Sequence, residues 1–402
     1  MATSAASVNG EFEFPEIDFG IDEVPDLESR LAELQTRGRR VVRIRYIGNP
    51  AWLILRRKEL YAAFMDPEHY PCSAANLRHS GPVMGRNLLC LDGDEHRIKR
   101  GLVSNAFQPA AVRGYTERTL RPIANQLIDG FAGRTELDLV AEYTRRLPLL
   151  VITNLLGVPA ENESQLVEWI DGLFSYPWNP ELALQAREEV SRFFLPFIHA
   201  RRKNPADDLI SLVAAAEFEG HRLDDEAILA FVRLLFPAGA DTTYLALGSL
   251  INYVLSDTGL KSKLMEKQEL IPTAVDEGLR LFSSTSFLPR YTESGFAYEE
   301  VRIPPNSWVL FGIRAANQDP ETFDRPHEFL LERDRRAALP FGAGRHFCLG
   351  SHLARAEMAV SLELLLRRLP GLRLREGRLP MTSAVLRGIR SLPVAYDAVL
   401  PG

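Results

Sequence analysis

One long apolar stretch, Leu229 to Leu255, constrains the fold of this chain more than any other feature. Its length would suit a membrane span. However, it also contains polar and helix-bending residues that a bilayer would accept only at high cost, namely Arg233, Pro237, Asp241, Thr242 and Thr243. A helix that is apolar on all sides and still carries an aspartate is typical of the buried axis of a large globular fold. We therefore expect a core helix over residues 224–256 and no membrane association.

Length, charge and cysteine usage limit the class of protein. The chain has 402 residues, with 47 Lys and Arg against 53 Asp and Glu, which gives a net charge of -6. At about 150 residues per domain, this length allows two or three domains or one large one. The acidic balance argues against general nucleic-acid binding, because phosphate contacts need clustered cations. Three widely spaced cysteines, Cys72, Cys90 and Cys348, exclude a disulfide framework and favour a cytoplasmic location.

The coarse pattern is a β-hairpin at residues 42–55, then mainly helices, then short strands in 286–312 and 371–400. Helical patterns lie near residues 58–65, 93–107, 111–131, 142–156, 163–175, 182–203, 207–217, 224–256, 257–283 (in two pieces) and 349–368. Residues 1–27 lack the basic and apolar regions of a signal peptide, and we expect them to form a mobile arm. Residues 28–402 would then form a single, mainly helical domain with a small β part.

A glycine-rich loop with a cysteine, Phe341-Gly342-Ala343-Gly344-Arg345-His346-Phe347-Cys348-Leu349-Gly350, precedes the last helical pattern. Its glycines allow a tight backbone whose amides point toward the sulfur. A helix that begins near Leu349 would place its positive end beside Cys348, and both effects favour the metal-binding thiolate. The alternative is a buried structural cysteine, and the loop residues by themselves leave both interpretations open.

The loop resembles the signature of the cytochrome P-450 family of haem-thiolate monooxygenases, at Phe341, Gly342, Arg345 or His346, Cys348 and Gly350. The resemblance implies one large domain in which haem b lies between the long central helix and the cysteine-loop helix, with Cys348 as the iron ligand. Phe341, Gly350 and Gly239 would contact the haem. The cosubstrate would be O2. The chain carries no flavin or nicotinamide fingerprint, so the resemblance implies electrons from a separate ferredoxin or flavodoxin with its own reductase.

The central helix carries the sequence Gly239-Ala240-Asp241-Thr242-Thr243. A buried acid and alcohol are costly unless they are hydrogen-bonded or hydrated. A purely local explanation is a threonine hydroxyl bonded to the preceding turn and an aspartate paired nearby. The resemblance implies instead that Asp241 relays protons from solvent and that Thr242 holds the hydrogen-bond network during oxygen activation.

An acid and a base, Glu277 and Arg280, lie three residues apart and share one helix face. Such a pair is usually an exposed ion pair of little value. The resemblance implies a buried structural pair with a third partner, an arginine in a Pro-x-Arg-Phe stretch. This chain has Pro326-His327-Glu328-Phe329 there, so we consider His327 or Arg325 as the third member.

Haem carries two propionates, and an enclosed dianion needs cations. By resemblance, these are His96 and Arg100, which share a helix face, together with Arg290 and His346. The resemblance also places Leu235, Ala238, Phe287, Leu288 and Leu386 in the substrate pocket. That lining favours a hydrophobic small molecule.

Cations near the cysteine loop predict a docking surface for an acidic redox partner: Arg97, Lys99, Arg100, Arg113, Arg335, Arg336, Arg345 and Arg355. We expect a monomer. Two other functions remain open from sequence. One is a peroxygenase driven by hydrogen peroxide, which the intact Asp241-Thr242 pair disfavours. The other is a non-catalytic haem sensor or carrier, which would need Cys348 but no proton relay.

Overall fold

The computed structural model describes residues 11–298 and 301–402, and these form a mainly helical fold with three small sheets. The α-helices are α1 (Leu27–Thr36), α2 (Arg57–Phe64), α3 (Cys72–His79), α4 (Gly81–Met84), α5 (Gly93–Ser104), α6 (Pro109–Tyr115), α7 (Arg121–Asp129), α8 (Arg146–Leu156), α9 (Glu163–Phe174), α10 (Pro180–Lys203), α11 (Leu209–Ala215), α12 (Asp225–Ser256), α13 (Thr258–Glu266), α14 (Ile271–Leu281), α15 (Ile313–Asn317) and α16 (Ser351–Arg368). The strands are β1 (Val41–Tyr46), β2 (Asn49–Ile54), β3 (Glu136–Asp138), β4 (Phe287–Thr292), β5 (Phe296–Tyr298), β6 (Val301–Ile303), β7 (Ser307–Gly312), β8 (Arg373–Leu374) and β9 (Pro393–Ala395).

Helix α12 is the axis of the fold. The Asp224 side chain caps its start by accepting the Ala227 amide at 2.7 Å, and the helix continues through Pro237 for 32 residues. It packs against α8, α10, α14 and α16. By length and composition it could cross a membrane, but 67% of its most apolar window is buried inside the protein. The prediction of a core helix over 224–256 is confirmed.

The largest sheet combines the N-terminal hairpin with two strands from later in the chain. Its strand order is β1-β2-β7-β4, with β2 parallel to β7 and the other pairs antiparallel. The predicted hairpin and the predicted strands in 286–312 are confirmed. Because side chains alternate along a strand, β4 places Phe287 and Pro289 on one face and Leu288 and Arg290 on the other, which matters for the site described below.

The described part of the predicted mobile arm packs against the large sheet. The Glu13 and Phe19 amides donate to carbonyls of β1 at 2.8 and 3.0 Å. The Phe19 ring is fully buried and lies 5.7 Å, centre to centre, from the Phe287 ring. Residues 11–27 therefore belong to the packed domain, because their apolar side chains complete the core on this side of the sheet. Residues 1–10 of the predicted arm lie outside the described residues.

Some short helices were not predicted from the sequence. They are α1, α3, α4 and α15. The predicted helix over 111–131 is divided by a π-helical turn, Thr116–Leu120, into α6 and α7. A second π turn, Val140–Thr144, leads into α8. These differences leave the order of the long helices unchanged.

Candidate active site

The loop before α16 turns tightly through two glycines. Gly342 and Gly344 have φ values of +71° and +70°, in the left-handed region that favours glycine. A Cβ atom on Gly344 would also lie 2.8 Å from the Phe64 carbonyl oxygen. The Cys348 amide closes the turn by donating to the Phe341 carbonyl at 3.0 Å. The predicted tight loop ahead of the cysteine is confirmed.

Cys348 is accessible to solvent, whereas Cys72 and Cys90 are buried. Helix α16 begins at Ser351, two residues later than predicted, with Gly350 at its N-cap. Desolvation by the surrounding protein raises the pKa of Cys348. The Gly350 amide, Arg100 and Arg355 lower the pKa, but they offset the desolvation only in part. The loop amide thus acts in the predicted direction, because it lowers the pKa, but desolvation is the larger effect. A metal ion bound to the sulfur would supply the missing stabilisation.

Two histidine rings lie side by side next to the cysteine loop. The rings of His96, on α5, and His346 have centroids 4.0 Å apart, and His346 Nε2 lies 3.4 Å from an Asp92 carboxylate oxygen. His96 Nε2 and His346 Nδ1 are buried, and neither has a hydrogen-bond partner within the described residues. Burial, with the positive charges of His346 and Arg100, lowers the pKa of His96 to about 4. Because buried polar atoms are normally satisfied, this corner is suited to an external polar group.

Two guanidinium groups complete the predicted set of four propionate-binding cations. Arg290 is buried on β4; its Nη1 donates to the Pro289 carbonyl at 2.9 Å, and its guanidinium lies 4.9 Å from the Phe311 ring centre. Arg100 Nη2 donates to the Phe347 carbonyl at 2.5 Å, one residue before Cys348. The structure thus brings Arg100, Arg290, His96 and His346 to the same side of the cysteine loop.

A cavity of about 120 Å³ lies between this cluster and the end of α2. Its polar lining consists of Tyr70, Cys72, Asp92, Arg290, Arg345 and His346. Sequence reasoning assigned no role in the site to Asp92 or Cys72. Burial raises the pKa of the Cys72 thiol, but Arg290 and His346 outweigh burial and lower it overall. Asp92 could have been noticed from the sequence because it lies immediately before α5, where acidic N-cap residues are common.

In the middle of α12, one face stays partly exposed although most of the helix is buried. Leu235, Ala238, Gly239, Asp241 and Thr242 lie on this face. The Thr242 hydroxyl donates to the Ala238 carbonyl at 2.8 Å. This is the hydrogen bond to the preceding turn that the sequence analysis gives as the local explanation. Its oxygen can still accept a hydrogen bond from outside the helix. The exposed face therefore offers small and apolar residues beside one acid and one alcohol.

Asp241 is the acid on this face, and no hydrogen-bond partner for it is found in the part of the chain that the structure describes. Burial, reinforced by the negative charge of Asp171, raises the pKa of Asp241 to about 7, although Arg145 and Arg390 act in the opposite direction. Arg145 and Asp171 are themselves an ion pair at 3.1 Å. A carboxyl group with this pKa can gain or lose a proton near neutral pH.

The Glu277–Arg280 pair is fully buried, with two hydrogen bonds of 2.8 and 3.0 Å. Its third member is Arg333, whose Nε donates to Glu277 Oε1 at 2.9 Å. The suggestion of His327 or Arg325 is therefore wrong: His327 bonds Gln318, and Arg325 pairs with Asp324 and Glu328. Arg333 comes four residues after the Pro-x-x-Phe stretch, and only the course of the backbone between them brings it back to Glu277.

The predicted substrate residues have different environments. Leu235, Ala238, Leu288 and Leu386 are partly exposed. Phe287 is only 1% exposed, and it packs on Phe19 in the core beneath the sheet. Because side chains alternate along β4, the Phe287 ring lies on the face opposite to Leu288. It therefore does not lie on the open side of the pocket. Leu386 is bridged to Thr285, so those two segments run side by side.

Comparison with known proteins identifies the family. A family model described as cytochrome P-450 matches residues 22–382. The chain belongs to the cytochrome P-450 family. It is 31% identical to cytochrome P-450 107B1 of Saccharopolyspora erythraea over 93% of this chain and 96% of that protein. It is 34% identical to the mycinamicin IV hydroxylase/epoxidase of Micromonospora griseorubida over 87% of this chain and 90% of that protein.

Solved structures of family members have the same fold. The Bacillus subtilis cytochrome P-450 PksS of bacillaene polyketide synthase superposes with a TM-score of 0.86 at 30% identity, covering 93% of this chain and 97% of that one. P-450BioI, solved with a fatty-acyl carrier protein, has a TM-score of 0.83 at 26% identity and covers 92% of this chain and 99% of that one. The protein is thus a haem-iron oxidoreductase of the monooxygenase class, with the mainly helical fold predicted from its sequence.

The residues of this chain fit the haem that the family carries. The accessible Cys348 thiol offers one soft ligand, and the orphaned nitrogens of His96 and His346 are donors or acceptors without partners. Arg100 and Arg290 add positive charge on the same side. A dianionic cofactor edge would satisfy these atoms, and no residue within the described ranges already serves His96 Nε2 or His346 Nδ1.

Proposed function

We propose that this chain holds haem b through Cys348 and inserts one atom of O2 into a hydrophobic small molecule, by hydroxylation or epoxidation. The observation that carries the proposal is the pair of buried, unpartnered histidine nitrogens beside an accessible cysteine and two guanidinium groups. An ordinary structural cysteine would not need two guanidinium groups and two buried imidazole rings gathered next to it.

Each group in the cluster has a role in holding the cofactor. Cys348 would bind the iron as thiolate, with Phe341, Gly350 and Gly239 against the ring. Arg100, Arg290, His96 and His346 would bind the propionates. When bound, haem supplies reductive activation of dioxygen, and a thiolate ligand favours cleavage of the O–O bond.

Asp241 and Thr242 would move and hold protons. With its pKa raised to about 7, Asp241 can accept a proton from solvent on one side and donate it on the other. Thr242 keeps its hydroxyl fixed through the 2.8 Å bond to the Ala238 carbonyl, and its oxygen is then oriented to accept. The pair lies on the face of α12 that is partly exposed, as a relay requires.

The substrate would lie along the apolar part of that same face, near Leu235, Ala238 and Leu386. Such a lining binds hydrophobic molecules and orients them through few polar groups. The similarity to a mycinamicin IV hydroxylase/epoxidase and to a polyketide-biosynthesis member supports a hydrophobic secondary metabolite as the substrate class.

Electrons would come from a separate ferredoxin or flavodoxin that approaches the cysteine-loop side. The predicted cationic surface is smaller than expected, because neighbouring carboxylates pair with Arg97, Lys99, Arg336 and Arg355. Arg100, Arg113, Arg335 and Arg345 remain as candidates for contact with an acidic partner. We place the enzyme in the cytoplasm, which the sparse cysteine content supports, and we expect it to be a monomer.

The choice of oxidant tests the proposal. With a hydrophobic substrate selected by its low- to high-spin optical shift, turnover should require O2 and a ferredoxin–reductase pair, and hydrogen peroxide alone should give much less product. Thr242→Ala should keep haem binding but divert reducing equivalents from product to peroxide. Equal turnover with peroxide would favour a peroxygenase. If Thr242→Ala changed neither product yield nor the coupling of reduction to product, a sensor or carrier would be favoured.

A further inference from the structure

The carboxylate of Glu28, on α1, lies between two buried guanidinium groups. Glu28 Oε1 accepts hydrogen bonds from Arg314 Nη1 at 2.7 Å and Arg387 Nε at 2.8 Å, and Oε2 accepts one from Arg387 Nη2 at 2.7 Å. Arg314 and Arg387 are 0% and 1% exposed. Burial raises the pKa of Glu28, but the two arginines lower it overall, so the carboxylate is ionised and neutralises one of two buried positive charges.

The two arginines also hold the backbone of two distant segments. Arg387 donates to the Val24 and Pro25 carbonyls at 2.8 and 2.9 Å and to the Ser383 carbonyl at 2.8 Å. Arg314 Nη2 donates to the Ser283 carbonyl at 2.7 Å. Glu28 therefore connects the start of α1 to the chain at 283 and at 383–387.

Those two segments pair with each other beside the partly exposed face of α12. The Ser286 amide donates to the Val385 carbonyl at 2.9 Å, and the Arg387 amide donates to the Ser284 carbonyl at 2.7 Å. Just beyond Leu386, Gly388 is pressed against Leu245, where a Cβ atom would lie only 2.7 Å from the Leu245 Cβ. Leu245 is one turn after Thr242 on α12. The paired backbone at 284–286 and 385–387 thus borders the site.

We propose that Glu28 is a positioning residue that fixes this paired backbone and thereby sets the shape of the substrate pocket near Leu386. The inference rests on the proposed function, because it takes Leu386 to face the substrate. Without the carboxylate, two guanidinium groups would face each other at close range with no counter-charge. They would move apart and carry with them the Ser283 and Ser383 carbonyls that they hold.

Two azole ligands of different size test this in the haem-loaded full chain. Imidazole needs only the iron, whereas 4-phenylimidazole also needs room in the pocket. For Glu28→Gln, we expect the Kd of 4-phenylimidazole to change about tenfold, equivalent to about 1.4 kcal/mol, while the Kd of imidazole stays the same. The matched control is Asp129→Asn, which removes the carboxylate from another buried arginine, Arg368, whose other hydrogen bonds go to Asn125 and Leu400 and not to the pocket segments. This control should leave both Kd values unchanged.

A second variant keeps the inference testable if Glu28→Gln does not fold. Glu28→Asp retains the charge but shortens the side chain, and it should speed hydrogen exchange at the Ser286 and Arg387 amides even without haem. Unchanged exchange there, or an unchanged ratio of the two Kd values in Glu28→Gln, would overturn the role of Glu28. Failure of the unmodified protein to bind imidazole at haem iron would instead contradict the proposed function.

Discussion

Asp241→Asn is expected to lower oxygen-dependent turnover by about 10²–10⁴-fold, the range typical of a lost general acid–base group. Asparagine has nearly the same shape but cannot carry the proton that Asp241 is placed to relay. Haem content and substrate affinity should not change, because Asp241 has no hydrogen bond to any described residue and is not among the residues that we propose to bind the iron or the propionates. The measurement is the rate of product formation with a saturating redox partner, compared between the two proteins at equal haem content.

The pH dependence of the same rate gives an independent check. The pKa of Asp241 is raised to about 7, so the proton donor is present below that pH and is lost as the pH rises through it. Turnover of the unmodified enzyme should therefore fall on the alkaline side of about pH 7, and Asp241→Asn should lack this limb.

Asp171→Asn provides a matched control for this pH dependence. It removes a negative charge that raises the pKa of Asp241, so the limb should move to lower pH without disappearing. An identical alkaline limb in Asp241→Asn would rule out Asp241 as its source.

Glu277→Gln is expected to lower the free energy of unfolding by about 3–5 kcal/mol, the cost of breaking a buried ion pair. Glu277 and Arg280 are both fully buried, and Glu277 also accepts hydrogen bonds from Arg333 and from the Leu330 amide at 2.9 and 3.1 Å. Neutral glutamine would leave two guanidinium groups without a counter-charge and would loosen the backbone that leads into the Cys348 loop. Urea unfolding of the haem-loaded protein measures the change.

An exposed ion pair serves as the comparison for Glu277. Glu217→Gln removes the acid from the pair with Arg222, in which both side chains are more than half exposed, and it should leave the urea midpoint unchanged. If Glu277→Gln had as little effect as Glu217→Gln, the buried network would not stabilise the fold in the way we describe.

Local sequence patterns predicted the parts of this protein that depend on local interactions. Helix α12 follows from one apolar stretch, and the hairpin β1–β2 follows from alternating residues before a Gly-Asn-Pro turn. The loop around Cys348 was predictable because its two glycines take up a left-handed backbone that few other residues accept. The helix α1 was missed although Leu27, Leu31 and Leu34 recur with helical spacing, because no element was assigned between the predicted arm, which ends at residue 27, and the hairpin.

Long-range partners were not predictable in this way. Arg333 reaches Glu277 across 56 residues, and Glu28 reaches Arg387 across 359. No local pattern encodes such pairs, since many arginines in the chain could have served. Phe287 was assigned to the pocket by its position in the sequence, but the alternation of β4 and the packing of Phe19 against it turn its ring into the core. For Cys348, the loop amide lowers the pKa as predicted, but desolvation by the surrounding fold outweighs it, and no local sequence pattern reveals that desolvation.

The most direct test of thiolate-bound haem is the absorption spectrum of the reduced carbon monoxide complex of the purified protein. The unmodified protein should show the strongly red-shifted Soret band of thiolate ligation, and Cys348→Ser should lose that band. Conversion of Cys72 to Ser should leave it in place. A protein purified without haem after growth in haem-sufficient medium, or a Cys348→Ser variant that keeps the red-shifted band, would contradict the assignment of Cys348 as the iron ligand.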